Sequence, residues 1–280
     1  MEQIREPFSA VPDSELAGTS TPSVSPPASI DPNNPPWGII IALLVWFSSV
    51  ALQLGMSLLL VLPYIATQGF SPSDPEFARK LAEFAATDKT AVFLQILALL
   101  PAHLLTLLLV WAIATGFGKR SFTEVLGLAC SRFPVWLSVL LGVVLFLLGS
   151  GLAKLVGGDA PTQLETIINN SLPTRYLVAF LAVATAPLVE ELVYRGVVYS
   201  ALQRAIGAAG AIVIVLALFT IVHIPQYRTN VGVIMAVGIL SVALTLLRAY
   251  TGRLLPCVIV HLVFNAVQAV ILIFTNPTSS

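Results

Sequence analysis

Charge is what this chain has least of. Asp, Glu, Lys and Arg make up 10% of its 280 residues, against roughly 25% in soluble domains. So little charge excludes an ordinary soluble enzyme and a disordered chain. The 14 basic and 14 acidic residues cancel, so nothing argues for a nucleic-acid partner. Cysteine is nearly absent: Cys130 and Cys257 are the only two. That excludes a disulfide scaffold, and both read as packing residues. Near the N-terminus there is no basic segment followed at once by a short apolar one, so no signal peptide is read there.

Apolar residues fill the space, at 57% of the chain. They fall into runs: Gly38 to about Thr67, Ala91–Phe117, Val135 to about Val156, about Tyr176 to Leu202, about Ala208 to Ile224, Val231–Leu247 and Leu254–Phe274. A helix crossing a bilayer core of about 30 Å needs roughly 20 residues. The runs approach or exceed this length and lack the alternation of barrel strands. Only helices and closed barrels satisfy their backbone groups in lipid. The expected fold is all-α, a polytopic transmembrane bundle of about seven helices, six to eight, in a lipid bilayer.

Residues 1–36 form a Pro/Ser-rich tail with no capacity for a core. Residues 37–124 hold the N-terminal transmembrane helices, and residues 125–275 a second, chemically richer transmembrane region. Phe77–Phe84 is amphipathic and suits a membrane surface. Gly149 and Gly151 suit close helix packing, and Pro101 and Pro187 mark kinks. With seven spans, Arg5, Lys119, Arg120, Arg132, Arg204, Arg248 and Arg253 share one side, while Arg79, Lys80, Lys89, Arg175 and Arg228 share the other. This split favours a cytoplasmic N-terminus for an integral, multi-pass protein.

Charges inside apolar runs are costly and therefore informative. The fourth run contains Glu190, Glu191 and Arg195. Glu191 and Arg195 are four apart and can pair on one face. Glu190 points elsewhere and has no local partner, which suits a proton acceptor in a low-dielectric site. His223 closes the fifth run, and His261 and Asn265 share a face of the seventh. Together they can activate water in two ways. A divalent metal such as zinc held by His and Glu lowers the pKa of bound water; alternatively Glu190 is the general base, with His and Asn holding an oxyanion. His103, after Pro101, reads as a satisfied core histidine. One difficulty is depth: His223 lies about 22 Å along its helix and His261 about 10 Å along its own, counted from the same side.

Glu190-Glu-x-x-x-Arg195, Phe219-x-x-x-His223 and His261-x-x-x-Asn265, in this order and inside apolar helices, resemble the three motifs of the CAAX protease and bacteriocin-processing family of intramembrane proteases. Pro187 and Gly196 also resemble that family, over roughly residues 125–270. The resemblance implies an endopeptidase that cuts a membrane-anchored, in some members prenylated, protein or peptide. It implies Glu190 as general base, His223 orienting the water, His261 and Asn265 stabilising the oxyanion, and Glu191 and Arg195 supporting the site. No His-Glu-x-x-His is present, so a glutamate mechanism without metal is favoured and zinc stays open. Other protease classes fit less well: Leu148-Gly-Ser-Gly151 lacks the first glycine of a rhomboid-like Gly-x-Ser-Gly, and Asp159 has no partner for a presenilin-like pair. The competing functions are a proton-coupled transporter, for which no internal repeat is seen, and a non-catalytic scaffold, for which no motif residue is lost.

Overall fold

A computed structural model describes residues 31–129, 131–157 and 161–275. Cys130, Asp159, Arg5 and the tail up to residue 30 lie outside the described residues. All regular structure among the described residues is helical: α1 (Ile39–Ala66), α2 (Phe77–Thr87), α3 (Lys89–Leu97), α4 (Leu99–Thr115), α5 (Phe122–Val125), α6 (Val135–Gly157), α7 (Gln163–Asn170) and α8 (Leu172–Phe180), then α9 (Ala186–Glu191), α10 (Tyr199–Tyr227), α11 (Val231–Thr251) and α12 (Leu255–Thr275). Two π-helical stretches, Leu181–Thr185 and Leu192–Val198, flank α9.

Six continuous helical segments among the described residues are long and apolar enough to cross a membrane. One of them, Leu172–Tyr227, has 56 residues. At 1.5 Å per residue, a straight helix of that length would run about 84 Å, far beyond a bilayer. It is not straight. Gly207 has φ 81° and ψ 167°, a conformation glycine adopts without a Cβ penalty, and the chain folds back there. The rings of Tyr194 and Phe219, placed almost symmetrically about Gly207, pack 5.0 Å apart. The fourth and fifth apolar runs are thus two arms of one hairpin.

Close packing follows the small residues. A Cβ on Gly142 would meet the Val260 carbonyl oxygen at 2.8 Å, and one on Gly232 the Leu152 carbonyl oxygen at 2.7 Å, so α6 lies directly against both α12 and α11. Gly149 serves the same packing, with Ala236 Cβ at 3.1 Å, whereas Gly151 faces open space and plays no part in it. The substitutions Gly142→Ala and Gly232→Ala should each lower stability by about 1–3 kcal/mol through overpacking. Gly151→Ala should leave it unchanged, as read by thermal unfolding in detergent.

The amphipathic segment forms α2, but its apolar face is used by the protein itself. Leu81, Phe84 and Ala85 pack on Val61, Ile65 and Ala91 at the ends of α1 and α3. On the solvent side Lys80 bonds Asp74 at 2.6 Å and, with the backbone N–H of Glu76, holds its carboxyl below the usual range.

Residues 31–37 run across the opposite end of the bundle. The Arg204 guanidinium bonds the carbonyls of Pro35 and Trp37, and the Trp37 indole donates to the Val197 carbonyl at 3.0 Å. Arg248, counted above as a loop charge, is instead fully buried in α11. Its guanidinium donates to Asn33 Oδ1 at 2.7 Å and to the Pro32 carbonyl at 3.1 Å.

Candidate active site

The buried centre of the molecule is charged. Glu191 and Arg195 are both 0% exposed. They pair as their spacing predicts, Arg195 Nη1 donating to Glu191 Oε1 at 2.9 Å. Uncompensated, either charge would be very costly at this depth. The rest of the guanidinium is also satisfied: Nη2 bonds the Ser241 carbonyl and Oγ, both at 3.0 Å, and Nε reaches Thr245 Oγ1 at 3.3 Å. The Phe219 ring covers it at 4.7 Å. Arg195 therefore ties its own helix to α10 and α11.

Glu191 has a second partner. His261 Nδ1 lies 2.8 Å from the same Oε1. A carboxylate can only accept here, so Nδ1 carries the proton and the ring orientation is fixed. The other ring nitrogen, Nε2, faces Glu190 Oε2 at 3.7 Å. Glu190, without a partner on its own helix, thus meets one from α12. Its side chain keeps 24% exposure while Glu191 has none, so the two adjacent carboxylates occupy different environments.

His223 is half-buried. Its Nδ1 donates to the Phe219 carbonyl at 2.7 Å, which leaves Nε2 as the acceptor when the ring is neutral. The depth offset between His223 and His261 is bridged by Phe219, whose ring lies 4.5 Å from that of His223 and 6.1 Å from that of His261.

Asn265 sits one turn beyond His261 and reaches a different group, donating from Nδ2 to the Ala182 carbonyl at 2.9 Å. The reason lies in the π-helical turn. There the Ala186 N–H bonds the Leu181 carbonyl, five residues back. The next such donor would be residue 187, which is proline and has no N–H. Pro187 orphans the Ala182 carbonyl, and the Asn265 amide replaces the missing donor. One N–H of that amide is used in this way and one remains.

Several neighbours went unmarked in the sequence. Tyr227 stacks on His223 at 6.4 Å with 2° between the rings, a contact that its i+4 position could have flagged. Tyr194, inside the charged motif, accepts at Oη from the Trp46 indole at 3.0 Å. His103 is the buried, hydrogen-bonded core histidine that its setting predicted. It borders the site and bonds Thr185 Oγ1 at 2.8 Å.

The arrangement provides a partly exposed carboxylate beside a histidine of fixed tautomer, and a second histidine with a free nitrogen. No three His, Cys, Asp or Glu side chains among the described residues cluster as ligands of one ion would.

Comparison with known proteins agrees with the motifs. Neither the curated proteins nor the solved structures yield a match. Residues 172–267, about a third of the chain, match the family described as type II CAAX prenyl endopeptidase Rce1-like. The matched segment begins with α8 and ends two residues past Asn265, so it takes in the whole hairpin about Gly207 and the motifs it carries. Over residues 172–267 this integral, multi-pass membrane protein is therefore similar to the type II CAAX prenyl endopeptidase Rce1-like family, as its motifs indicate.

Proposed function

We propose that the chain is an intramembrane endopeptidase that hydrolyses a peptide bond in a membrane-anchored, prenylated protein or peptide, with Glu190 as general base. One observation carries the reading: His261 is held by Glu191 at 2.8 Å on one nitrogen and faces Glu190 at 3.7 Å with the other. That geometry supports assigning Glu191 to hold the imidazole and Glu190 to react. Glu190 takes a proton from water, and the water oxygen adds to the scissile carbonyl carbon. The resulting oxyanion is met by His261 Nε2–H, when that ring is protonated, and by the free Asn265 N–H. Collapse breaks the C–N bond, and the leaving amine takes the proton from Glu190. His223 Nε2 accepts a hydrogen bond from the other O–H of that water and so orients the attack, and that hydrogen stays on the oxygen that adds to the carbonyl. The N-terminus faces the cytoplasm.

The test is cleavage of membrane-anchored peptides in liposomes, some ending in a prenylated cysteine motif. His223→Ala should slow cleavage about 10²-fold, and a strong chelator should leave wild type unaffected. Prenylated peptides should be cut and unprenylated ones spared. Equal cleavage of both would overturn the substrate class, and full activity in His223→Ala would overturn the role of that ring.

A further inference from the structure

We infer that His103 is a positioning residue for Glu190, acting through Thr185; this rests on the reading of Glu190 as the general base. His103 lies in α4, outside residues 172–267 that match the family. It is 6% exposed. Its Nδ1 is 2.8 Å from Thr185 Oγ1, a contact spanning 82 residues of sequence.

Thr185 is the residue at which the π-helical turn rejoins α9. Its backbone, at φ −116° and ψ −43°, departs from the helical values of its neighbour Ala186, at φ −60° and ψ −49°. A π turn adds one residue to the helix and so rotates everything beyond it by about 100°. Glu190 lies five residues further on, and the direction of its carboxylate depends on this turn keeping its shape. The turn is gripped from two sides. Asn265 of α12 bonds the Ala182 carbonyl at 2.9 Å, and His103 of α4 bonds the Thr185 hydroxyl. Thr185 Oγ1 also leans on the Leu181 carbonyl at 3.4 Å. The N-terminal helices thereby contribute a polar contact to a site whose motifs all lie in the C-terminal half.

The experiment compares His103→Leu and Thr185→Val, which keep volume and remove the bond, with His103→Asn and Thr185→Ser, which keep it. Cleavage kinetics are read alongside amide hydrogen exchange over residues 181–190, which needs no substrate. The first pair should each lower kcat about tenfold with KM unchanged, and should speed exchange in that segment. The His103→Leu/Thr185→Val double variant should be no slower than either single one, because both remove the same bond. The second pair should stay within about threefold of wild type. Losses that multiply in the double variant, or kcat and exchange that do not change, would overturn the inference. If wild type cuts no peptide, the reading of the chain as a protease fails, and exchange alone still decides whether His103 holds the turn.

Discussion

Glu190→Gln should lower kcat about 10³-fold while the protein remains folded, the range general-base removal produces being about 10²–10⁴. The substitution keeps the shape of the side chain and removes only its basicity. Stability should not fall, since Glu190 makes no direct hydrogen bond and its one ionic neighbour, His261 Nε2, is 3.7 Å away. Glu190→Asp keeps the charge but withdraws it by about one carbon–carbon bond, and a displacement near 1 Å is enough to cost about 10²-fold. Glu191→Gln should behave differently. Its carboxylate fixes the His261 tautomer through a 2.8 Å bond, so its loss should alter activity and thermal stability together. Cleavage rates and unfolding midpoints measured on the same preparations separate the two glutamates. Wild-type cleavage by Glu190→Gln would remove the general base from the mechanism.

Arg195→Met should destabilise the protein by about 3–5 kcal/mol, the cost of leaving a buried charge without its partner. Glu191 is fully buried, and its Oε1 depends on Arg195 Nη1 at 2.9 Å and on His261. Pairing Arg195→Met with Glu191→Met should recover much of the stability, because both charges then disappear together. It should not recover activity, because His261 would lose its orienting carboxylate. Arg195→Lys should rescue poorly. A single ammonium cannot serve Glu191, Ser241 and Thr245 from one position, whereas the guanidinium fork does. Unfolding in detergent checks the order: wild type, then the double variant, then Arg195→Met. A double variant no more stable than Arg195→Met would show that packing of the long side chain, and not the charge pair, holds this core.

Much of this architecture could be read from the residues. The cost of polar groups in lipid makes long apolar runs into helices, and scarce charge within them into sites. The i+4 spacing of Glu191 and Arg195 produced the pair, even though the backbone between them is π-helical. The number of spans was harder. Apolar runs four and five are continuous in helical structure, and the reversal between them is the conformation of one glycine, Gly207. Composition shows that glycine but not its φ. The charge on Arg248 misled for a related reason. It stands at the end of an apolar run, where a loop was expected, and is buried because residues 32–33 fold over it.

The sequence by itself determined the membrane setting, the all-helical class and the three motifs, because these depend on residue type and local spacing. The tertiary structure alone decided which carboxylate is fully buried and which stays partly exposed. That choice depends on α12 placing one imidazole between two adjacent glutamates, 70 residues away in sequence from the nearer one. It also decided the partners of His103 and Asn265. Both contact a helical irregularity that begins as a missing N–H at Pro187, and those contacts join helices far apart in sequence.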